Sequence, residues 1–205
     1  MSNEWDEYAA GWTTDPSVQE YADNAYAELV KVIDPQGLRI LDFGCGTGHL
    51  TEKLAAQAQH VVALDGSAEM IRYLQQKQFE KVTAIAAYLT PELIAQKTEL
   101  QTPFDLIVAS SVCSFLPDYE AALGHFKRLL KPGGLFLQWD WLLPNTTAQE
   151  NDTQPSFGFT MEQVEAALIS RGFTEIKLNQ PFFMTSDKGG EEITMPVLMA
   201  LAKKV

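Results

Sequence analysis

The sequence predicts an α/β fold in which a doubly wound, mostly parallel sheet of seven strands ends in an antiparallel hairpin. Two observations carry this prediction. Short, nearly continuous apolar runs alternate with segments of helical periodicity, as expected when helices cover both faces of a parallel sheet. The last two strand-like segments follow each other with no helical pattern between them, which favours antiparallel pairing.

The elements can be placed in order along the chain. The predicted strands cover residues 38–43, 61–65, 81–86, 104–110, 135–140, 173–180 and 193–202, and the predicted helices cover residues 17–33, 46–58, 67–79, 91–98, 118–131 and 160–171. Ser67 and Thr160 are expected to cap the helices that follow them. The turn Lys131-Pro132-Gly133-Gly134 is expected to end one helix and start the next strand. Residues 144–155 and 181–192 are predicted to be connections.

Composition excludes several classes of function. The formal charge is −12, with 27 acidic and 15 basic side chains, which argues against a nucleic-acid partner. No apolar run reaches the ~20 residues of a membrane span, so no membrane partner is expected. The two cysteines, Cys45 and Cys113, form neither a disulfide framework nor a metal-ligand pattern. A cytoplasmic location and no bound metal are therefore predicted, whereas the oligomeric state cannot be inferred.

The most informative local feature is a run of alternate glycines. The first strand leads into Gly44, Gly46 and Gly48, and a helical pattern follows at once. Glycine permits the backbone angles of a tight turn and the close approach of a ligand to the main chain. A dinucleotide-binding fingerprint places its third glycine one position later, where this chain has His49. The spacing therefore disfavours a nicotinamide-dependent oxidoreductase.

An acidic residue, Asp65, ends the second predicted strand. In a doubly wound sheet its carboxylate would emerge beside the glycine loop, where it could accept hydrogen bonds from two ribose hydroxyls. The alternative is that Asp65 only precedes a helix and interacts favourably with its dipole.

The segment Asp42-Phe43-Gly44-Cys45-Gly46-Thr47-Gly48 resembles motif I of the class I S-adenosylmethionine-dependent methyltransferases. Residues 104–118 resemble motif IV of that family, and residues 129–135 resemble the turn that follows it. The resemblance covers about residues 38 to 140, and its motifs stand in the family's order. It implies a Rossmann-like fold, S-adenosylmethionine as the cofactor and methyl transfer to a small-molecule acceptor.

The resemblance also implies which residues hold the cofactor. Asp42 would lie beneath the loop and reach the ammonium group, while Asp65 would bind the ribose. The remaining expected cofactor-binding residues are the loop residues Gly44, Cys45, Gly46 and Gly48, the adenosine-side residues Gly66, Ser67, Met70 and Ala87, Ser110 beside the reacting methyl group, and Tyr8 as a cover.

One departure from the family pattern concerns adenine. The family commonly has an acid after the third strand, where this chain reads Ala86-Ala87-Tyr88-Leu89. The main-chain carbonyl of Ala87 could accept the adenine hydrogen bond, and Tyr88 could pack on the ring or belong to the core. This departure favours the alternative function, a non-catalytic S-adenosylmethionine-binding regulatory module.

Methyl transfer needs no diagnostic catalytic residue, and the sequence shows none. The one candidate is Asp140, at the carboxyl edge of the fifth strand, where substrates of open α/β sheets bind. Its neighbours Trp139 and Trp141 could line a substrate site or only pack on the sheet. His125 is expected to be structural, and His49 is expected to lie on a helix surface.

The chain is interpreted as a single domain over residues 1–205. Residues 1–35 are expected to form an N-terminal helical lid, residues 36–143 the cofactor-binding core, and residues 144–205 a C-terminal helix and hairpin. Trp5, Tyr8 and Trp12 would share one helical face, which is typical of core packing. The family resemblance allows a second reading, in which Tyr8 and Trp12 cover the cofactor.

Overall fold

The computed structural model describes residues 4–143, 157–188 and 191–205, with side chains described outside residues 186–192. The predicted connection 144–155 lies outside the described residues. The helices are α1 (Ala9–Thr14), α2 (Pro16–Val32), α3 (His49–Gln57), α4 (Ala68–Gln76), α5 (Pro91–Gln96), α6 (Thr98–Gln101), α7 (Tyr119–Leu129) and α8 (Met161–Ser170). The strands are β1 (Arg39–Phe43), β2 (His60–Asp65), β3 (Val82–Ala86), β4 (Phe104–Ser110), β5 (Leu130–Trp141), β6 (Phe173–Lys188) and β7 (Glu191–Lys204).

These seven strands form one sheet in the order β3-β2-β1-β4-β5-β7-β6. The first five strands are parallel, whereas β7 is antiparallel to both β5 and β6. The predicted Rossmann-like fold with its terminal hairpin is thus confirmed. All five parallel strands end at the same edge of the sheet, which is where open α/β sheets bind ligands.

Helices cover both faces of this sheet and bury its apolar side chains. On one face, Ile40 and Val61 pack with residues of α2 and α3, and on the other, Leu41 and Val62 pack with residues of α7 and α8. Helix α2 falls within the predicted lid, yet it contributes the fully buried Leu29 to the core. Local capping agrees with the sequence: Ser67 caps α4, and Thr160 forms a capping box with Gln163 at α8.

The predicted connection 181–192 is wrong, because β6 and β7 continue through most of it. The two strands pair from Phe173↔Lys204 to Lys188↔Glu191. Their register shifts between Asn179 and Phe182, on either side of Pro181. Proline has no N–H to donate to the ladder, so it lies at an irregularity of the pairing. Because proline is disfavoured inside strands, the sequence predicts that the strand ends before Pro181.

Two other predicted boundaries also differ. The helix expected over 91–98 is two short helices separated by Lys97, whose backbone is extended. The Lys-Pro-Gly-Gly turn lies inside β5: α7 ends at Leu129, and the pairing with β4 jumps from Leu130 to Leu135. In the part of the chain that the structure describes, no helix is long and apolar enough to cross a membrane.

Candidate functional site

A large cavity of about 870 Å³ opens at the carboxyl edge of the sheet. Its volume lies within the range of roughly 300–1,000 Å³ that is typical of small-molecule and cofactor sites. The described side chains that line the cavity include acidic residues but no lysine or arginine. The acidic residues and histidines among them are Glu4, Asp15, Asp42, Asp65, Asp118, His49 and His125.

The floor of the cavity is the glycine loop between β1 and α3. Gly44 and Gly46 have φ angles of 69° and 53°, which side-chain-bearing residues rarely adopt. A Cβ atom on Gly44 would lie 2.3 Å from Cγ2 of Val112, and one on Gly46 would lie 3.3 Å from Nε1 of Trp12. Because side chains are excluded here, a ligand can approach the main chain itself.

Asp42 is a buried acid next to this floor. Its side chain is 1% exposed, and Oδ2 accepts a hydrogen bond of 2.6 Å from Oγ1 of Thr51. Burial raises the pKa of this carboxyl to about 7, although the Thr51 hydrogen bond works in the opposite direction. No ion pair joins Asp42 to a basic side chain within the described residues. A cationic group of a ligand would provide a positive charge for Asp42 to pair with.

Asp65 connects the loop to the next helix. Its Oδ2 accepts a hydrogen bond from the amide of Gly46, and its Oδ1 accepts one from the amide of Ser67, both at 2.8 Å. Desolvation raises its pKa, against the effect of these two hydrogen bonds. Each carboxylate oxygen has a second lone pair, so Asp65 could still accept hydrogen bonds from hydroxyl groups in the cavity.

The adenosine side of the predicted site is built on Gly66 and Tyr88. A Cβ atom on Gly66 would lie 2.6 Å from Cε1 of Tyr88, so the ring lies directly against this glycine. Tyr88 is 67% exposed, which excludes the core reading. Met70 and Ala87 also line the cavity, and the amide of Ala87 donates to the carbonyl oxygen of Asp65 at 2.9 Å.

Three of the expected cofactor residues, Gly48, Ser67 and Tyr8, lie outside the cavity lining. Gly48 begins α3 with φ 86°, and a Cβ atom there would lie 2.3 Å from Cδ1 of Leu74. It therefore allows α3 to pack closely on α4. Ser67 is fully buried. Its hydroxyl accepts a hydrogen bond from the amide of Met70 and donates one of 2.6 Å to Oδ1 of Asp6. Gly48 and Ser67 thus help to position α3 and α4 next to the cavity.

The N-terminal segment contributes two tryptophans to the cavity lining, and one of them, Trp12, is an expected cover residue. Trp5 and Trp12 line it, whereas Tyr8 is 60% exposed and lies outside the lining. The helix begins only at Ala9, yet the Trp5 and Trp12 rings still meet edge to face at 6.0 Å. Trp5 also contacts the ring of Phe115 at 5.1 Å.

Asp140, the candidate catalytic residue, faces away from the cavity. It is fully buried, and it accepts hydrogen bonds from the amide of Cys113 at 3.0 Å and from Oγ of Ser114 at 2.6 Å. Burial raises its pKa to about 6. Asp140 therefore accepts hydrogen bonds from the loop that follows β4, and it is not among the residues that line the cavity.

That loop carries Ser110 and Ser111, which both line the cavity. Ser111 has φ 52°, a strained angle for a residue with a side chain, and its amide donates to the carbonyl oxygen of Trp139 at 2.8 Å. The backbone of this loop is thus fixed from β5, beside the position predicted for the reacting methyl group.

His49 and His125 both line the cavity, which the sequence did not indicate. Nδ1 of His49 lies 2.6 Å from Oε1 of Gln19, and burial lowers its pKa. His125 lines the cavity from α7. Another group of lining residues lies at the end formed by α2, β5 and the hairpin: Tyr21, Trp141, Met184 and Met195. Of these, the sequence indicated only Trp141. No local pattern could have found it, because it depends on how α2 and the hairpin dock.

The sheet order, the glycine loop after β1 and the acid after β2 define a nucleoside-cofactor-binding α/β protein of the methyltransferase type. Comparisons with known proteins agree. Residues 41–136 match the sequence model of a family described as "Methyltransferase domain". This match supports the resemblance to the class I S-adenosylmethionine-dependent methyltransferases that the sequence predicted.

Individual relatives are more distant. The chain is 35% identical to the ubiquinone biosynthesis O-methyltransferase of Xylella fastidiosa over 106 residues, which cover 52% of this chain and 43% of that protein. The chain thus spans less than half the length of this curated relative. Two solved structures share the fold. A methyltransferase of Aquifex aeolicus is 19% identical, the match covers 98% of each chain, and the TM-score is 0.67. The N-methyltransferase NodS of Bradyrhizobium japonicum in complex with S-adenosylhomocysteine is 20% identical, the match covers 94% of this chain and 90% of that one, and the TM-score is 0.64.

Proposed function

We propose that this protein transfers the methyl group of S-adenosylmethionine to a small-molecule acceptor. The observation that carries the proposal is the cavity over the glycine loop, whose described lining includes five acids and no lysine or arginine. S-adenosylmethionine is cationic at both its ammonium and its sulfonium centre, so this lining suits it. The pyrophosphate of a dinucleotide would add negative charge to an acidic cavity, which disfavours that class of ligand.

The residues of the site fit the cofactor in detail. The loop at Gly44 and Gly46 offers the main chain to the methionine end, and Asp42 offers a carboxylate to the ammonium group. Asp65 has free lone pairs for the ribose hydroxyls. Tyr88, held against Gly66, offers a ring face to adenine in place of the family's acid.

When it is bound, S-adenosylmethionine supplies a methyl carbon that accepts a lone pair from the acceptor while the carbon–sulfur bond breaks and its electron pair stays on sulfur. The contribution of the protein is to position the acceptor; proximity and orientation can supply about 7–11 kcal/mol of the barrier. Ser110 and Ser111 shape the wall beside the reaction, and Trp5 and Trp12 exclude water from above. An acceptor that sheds its proton unaided releases that proton to water, and a dedicated base is needed only for an acceptor that does not.

Two measurements test the proposal. Calorimetry should detect binding of S-adenosylhomocysteine and no binding of NAD. Formation of S-adenosylhomocysteine from S-adenosylmethionine should then depend on an added acceptor. Absence of binding would remove the proposal, whereas binding without turnover over a broad set of acceptors would favour the non-catalytic module. The similarity to a ubiquinone biosynthesis O-methyltransferase supports starting with acceptors that carry a hydroxyl group.

A further inference from the structure

The carboxylate of the cofactor has no basic partner in this cavity. S-adenosylmethionine carries a carboxylate on the same carbon atom as its ammonium group, and the described lining includes no lysine or arginine. A carboxylate that leaves water without gaining hydrogen bonds is costly, and the acids of the lining add repulsion. The carboxylate therefore needs neutral N–H or O–H donors, and the structure restricts which groups can provide them.

The two histidines of the lining do not supply the cation. Burial lowers the pKa of His49, so this side chain is neutral near pH 7. Its Nδ1 lies against Gln19, and its Nε2 is buried, where no ligand atom reaches it. His125 is on α7, which packs on the face of the sheet opposite α3 and the end of the glycine loop.

The glycine loop itself has little to donate. Three of its residues line the cavity, and the amides of all three are already used within the protein. The amides of Gly44 and Cys45 donate to the carbonyl oxygen of Leu64 at 2.8 and 3.2 Å. The amide of Gly46 donates to Oδ2 of Asp65 at 2.8 Å. The loop thus allows a ligand to come close, but these amides do not offer it a free donor.

Trp12 has an unused donor directly above this loop. A Cβ atom on Gly46 would lie 3.3 Å from Nε1 and 3.6 Å from Cδ1 of Trp12, so the edge of the indole that carries the N–H faces the loop. Trp12 is partly exposed and lines the cavity. Within the described residues, Nε1 donates no hydrogen bond, and it does not belong to the buried atoms that lack a partner. It is therefore open to an acceptor atom of a ligand.

The position of this donor is fixed by the segment that carries it. The amide of Trp12 donates to the carbonyl oxygen of Tyr8 at 2.9 Å, and the ring meets the ring of Trp5 edge to face at 6.0 Å. An indole N–H can only donate a hydrogen bond. At the amino-acid end of the cofactor, the ammonium and sulfonium groups cannot accept one, so the carboxylate is the group that matches Trp12.

We propose that the indole N–H of Trp12 binds the carboxylate of the cofactor. The inference rests on the proposed function for the identity of the ligand. It assigns the two charges of the amino-acid end to different parts of the chain, with the ammonium group at Asp42 below and the carboxylate at Trp12 above. The N-terminal segment then recognises the cofactor by a hydrogen bond, and a nucleoside without a carboxylate is bound without this contact.

The test compares two ligands that differ only in this group. They are S-adenosylhomocysteine and 5′-S-(3-aminopropyl)-5′-thioadenosine, which is the same molecule without its carboxyl group. Calorimetry with the full chain measures both Kd values for the wild type and for Trp12→Phe. Phenylalanine keeps an aromatic ring and removes the donor, so the Kd of S-adenosylhomocysteine should rise about tenfold, as expected for loss of a hydrogen bond to a charged group. The Kd of the decarboxylated ligand should change by less than about twofold.

Trp5→Phe is the matched control, because it removes the other indole that the N-terminal segment contributes to the lining. It should change the two Kd values by the same factor. A further measurement uses the wild type alone. The chain has four tryptophans and hence four indole N–H signals in heteronuclear NMR. The assigned Trp12 signal should move downfield with S-adenosylhomocysteine and stay in place with the decarboxylated ligand.

The outcomes separate this inference from the proposed function. If Trp12→Phe weakens both ligands equally, or if the Trp12 signal responds equally to both, the carboxylate contact is wrong and the proposed function stands. If S-adenosylhomocysteine does not bind the wild type, both are overturned.

Discussion

Oγ1 of Thr51 donates a 2.6 Å hydrogen bond to Oδ2 of Asp42. Burial raises the pKa of this carboxyl to about 7, even though the hydrogen bond favours its ionised form. In the ligand-free protein, the carboxyl is therefore half protonated near neutral pH. The proposed cationic ligand and the protonation state of Asp42 are consequently linked.

The first prediction concerns this linkage. If the ammonium group of the ligand pairs with ionised Asp42, the Kd of S-adenosylhomocysteine should rise as pH falls below about 7, by up to about tenfold per pH unit. Calorimetry between pH 5.5 and 7.5 measures this. Asp42→Asn should weaken binding about 10- to 100-fold at pH 7.5 and flatten the profile, as expected for loss of a charged hydrogen bond. Asp23→Asn, at an exposed ion pair, is the control, and an Asp42→Asn profile as steep as the wild type would contradict the role.

The second prediction concerns stability without ligand. The folded-state pKa of Asp42, about 7, lies above its ordinary value of 3.8. The corresponding stability is fully present below pH 3.8 and is lost as pH rises through 7. At pH 8 Asp42→Asn should therefore be more stable than the wild type, by at most about 4 kcal/mol, and the two should converge at pH 4. Urea unfolding at both pH values checks this, and a variant that is less stable at pH 8 would refute it.

A third prediction separates two roles of Asp140. Asp140→Ala leaves the amide of Cys113 and the hydroxyl of Ser114 without their acceptor, so it should lower the free energy of unfolding by about 2 kcal/mol or more. Asp140→Asn retains an acceptor and should cost less. Loss of a general base would lower kcat about 10²- to 10⁴-fold in either variant. We expect Asp140→Asn to keep the rate of S-adenosylhomocysteine formation within about tenfold of the wild type.

The fourth prediction compares two glycines with similar backbone angles. Gly48 and Gly133 have φ 86° and 76°, but a Cβ atom on Gly48 would lie 2.3 Å from Leu74, whereas one on Gly133 has nothing within 4 Å. Gly133→Ala should cost about 1–2 kcal/mol from its backbone alone. Gly48→Ala should cost about 1–3 kcal/mol more, and adding Leu74→Ala should recover part of that difference. Equal unfolding free energies of the two single variants would argue against the packing role.

The fifth prediction concerns the N-terminal cover. Oδ1 of Asp6 accepts hydrogen bonds from the hydroxyl of Ser67 and the amide of Glu69, which fixes Trp5 above the cavity. Deleting residues 1–14 keeps Asp15 as the cap of α2. The deletion should raise the Kd of S-adenosylhomocysteine about tenfold or more, because the ligand loses buried apolar contacts, while Tm changes little. An unchanged Kd would remove the cover role.

Patterns within a short stretch of sequence predicted much of this structure. Ser67 and Thr160 were assigned as caps because an N-cap needs only a side chain and a nearby amide. The mostly parallel sheet with its terminal antiparallel hairpin was predicted from the alternation of strands and helices and from the missing helix before β7. Asp140 was placed correctly at the strand edge, but the direction of its side chain depends on the loop that folds over it, which no local pattern records.

The residues that escaped prediction depend on tertiary docking. Tyr21 is one of many apolar positions on α2, and it reaches the cavity only because of the way that helix lies on the sheet. Met184 follows Pro181, which appeared to end a strand. The register shift around Pro181 is a property of the pairing between β6 and β7, so the sequence of β6 alone does not reveal it.

The placement of the two ends of the cavity on opposite halves of the sheet has an evolutionary consequence. Under the proposed function, mutations in α2 and the terminal hairpin would alter the end of the cavity remote from Asp65 and Tyr88, and they would leave the residues proposed to hold the nucleoside unchanged. Laboratory redirection of this scaffold should therefore begin by exchanging residues 181–197 with those of distant homologues, since such chimaeras would inherit a new preference together with an undisturbed methyl donor pocket.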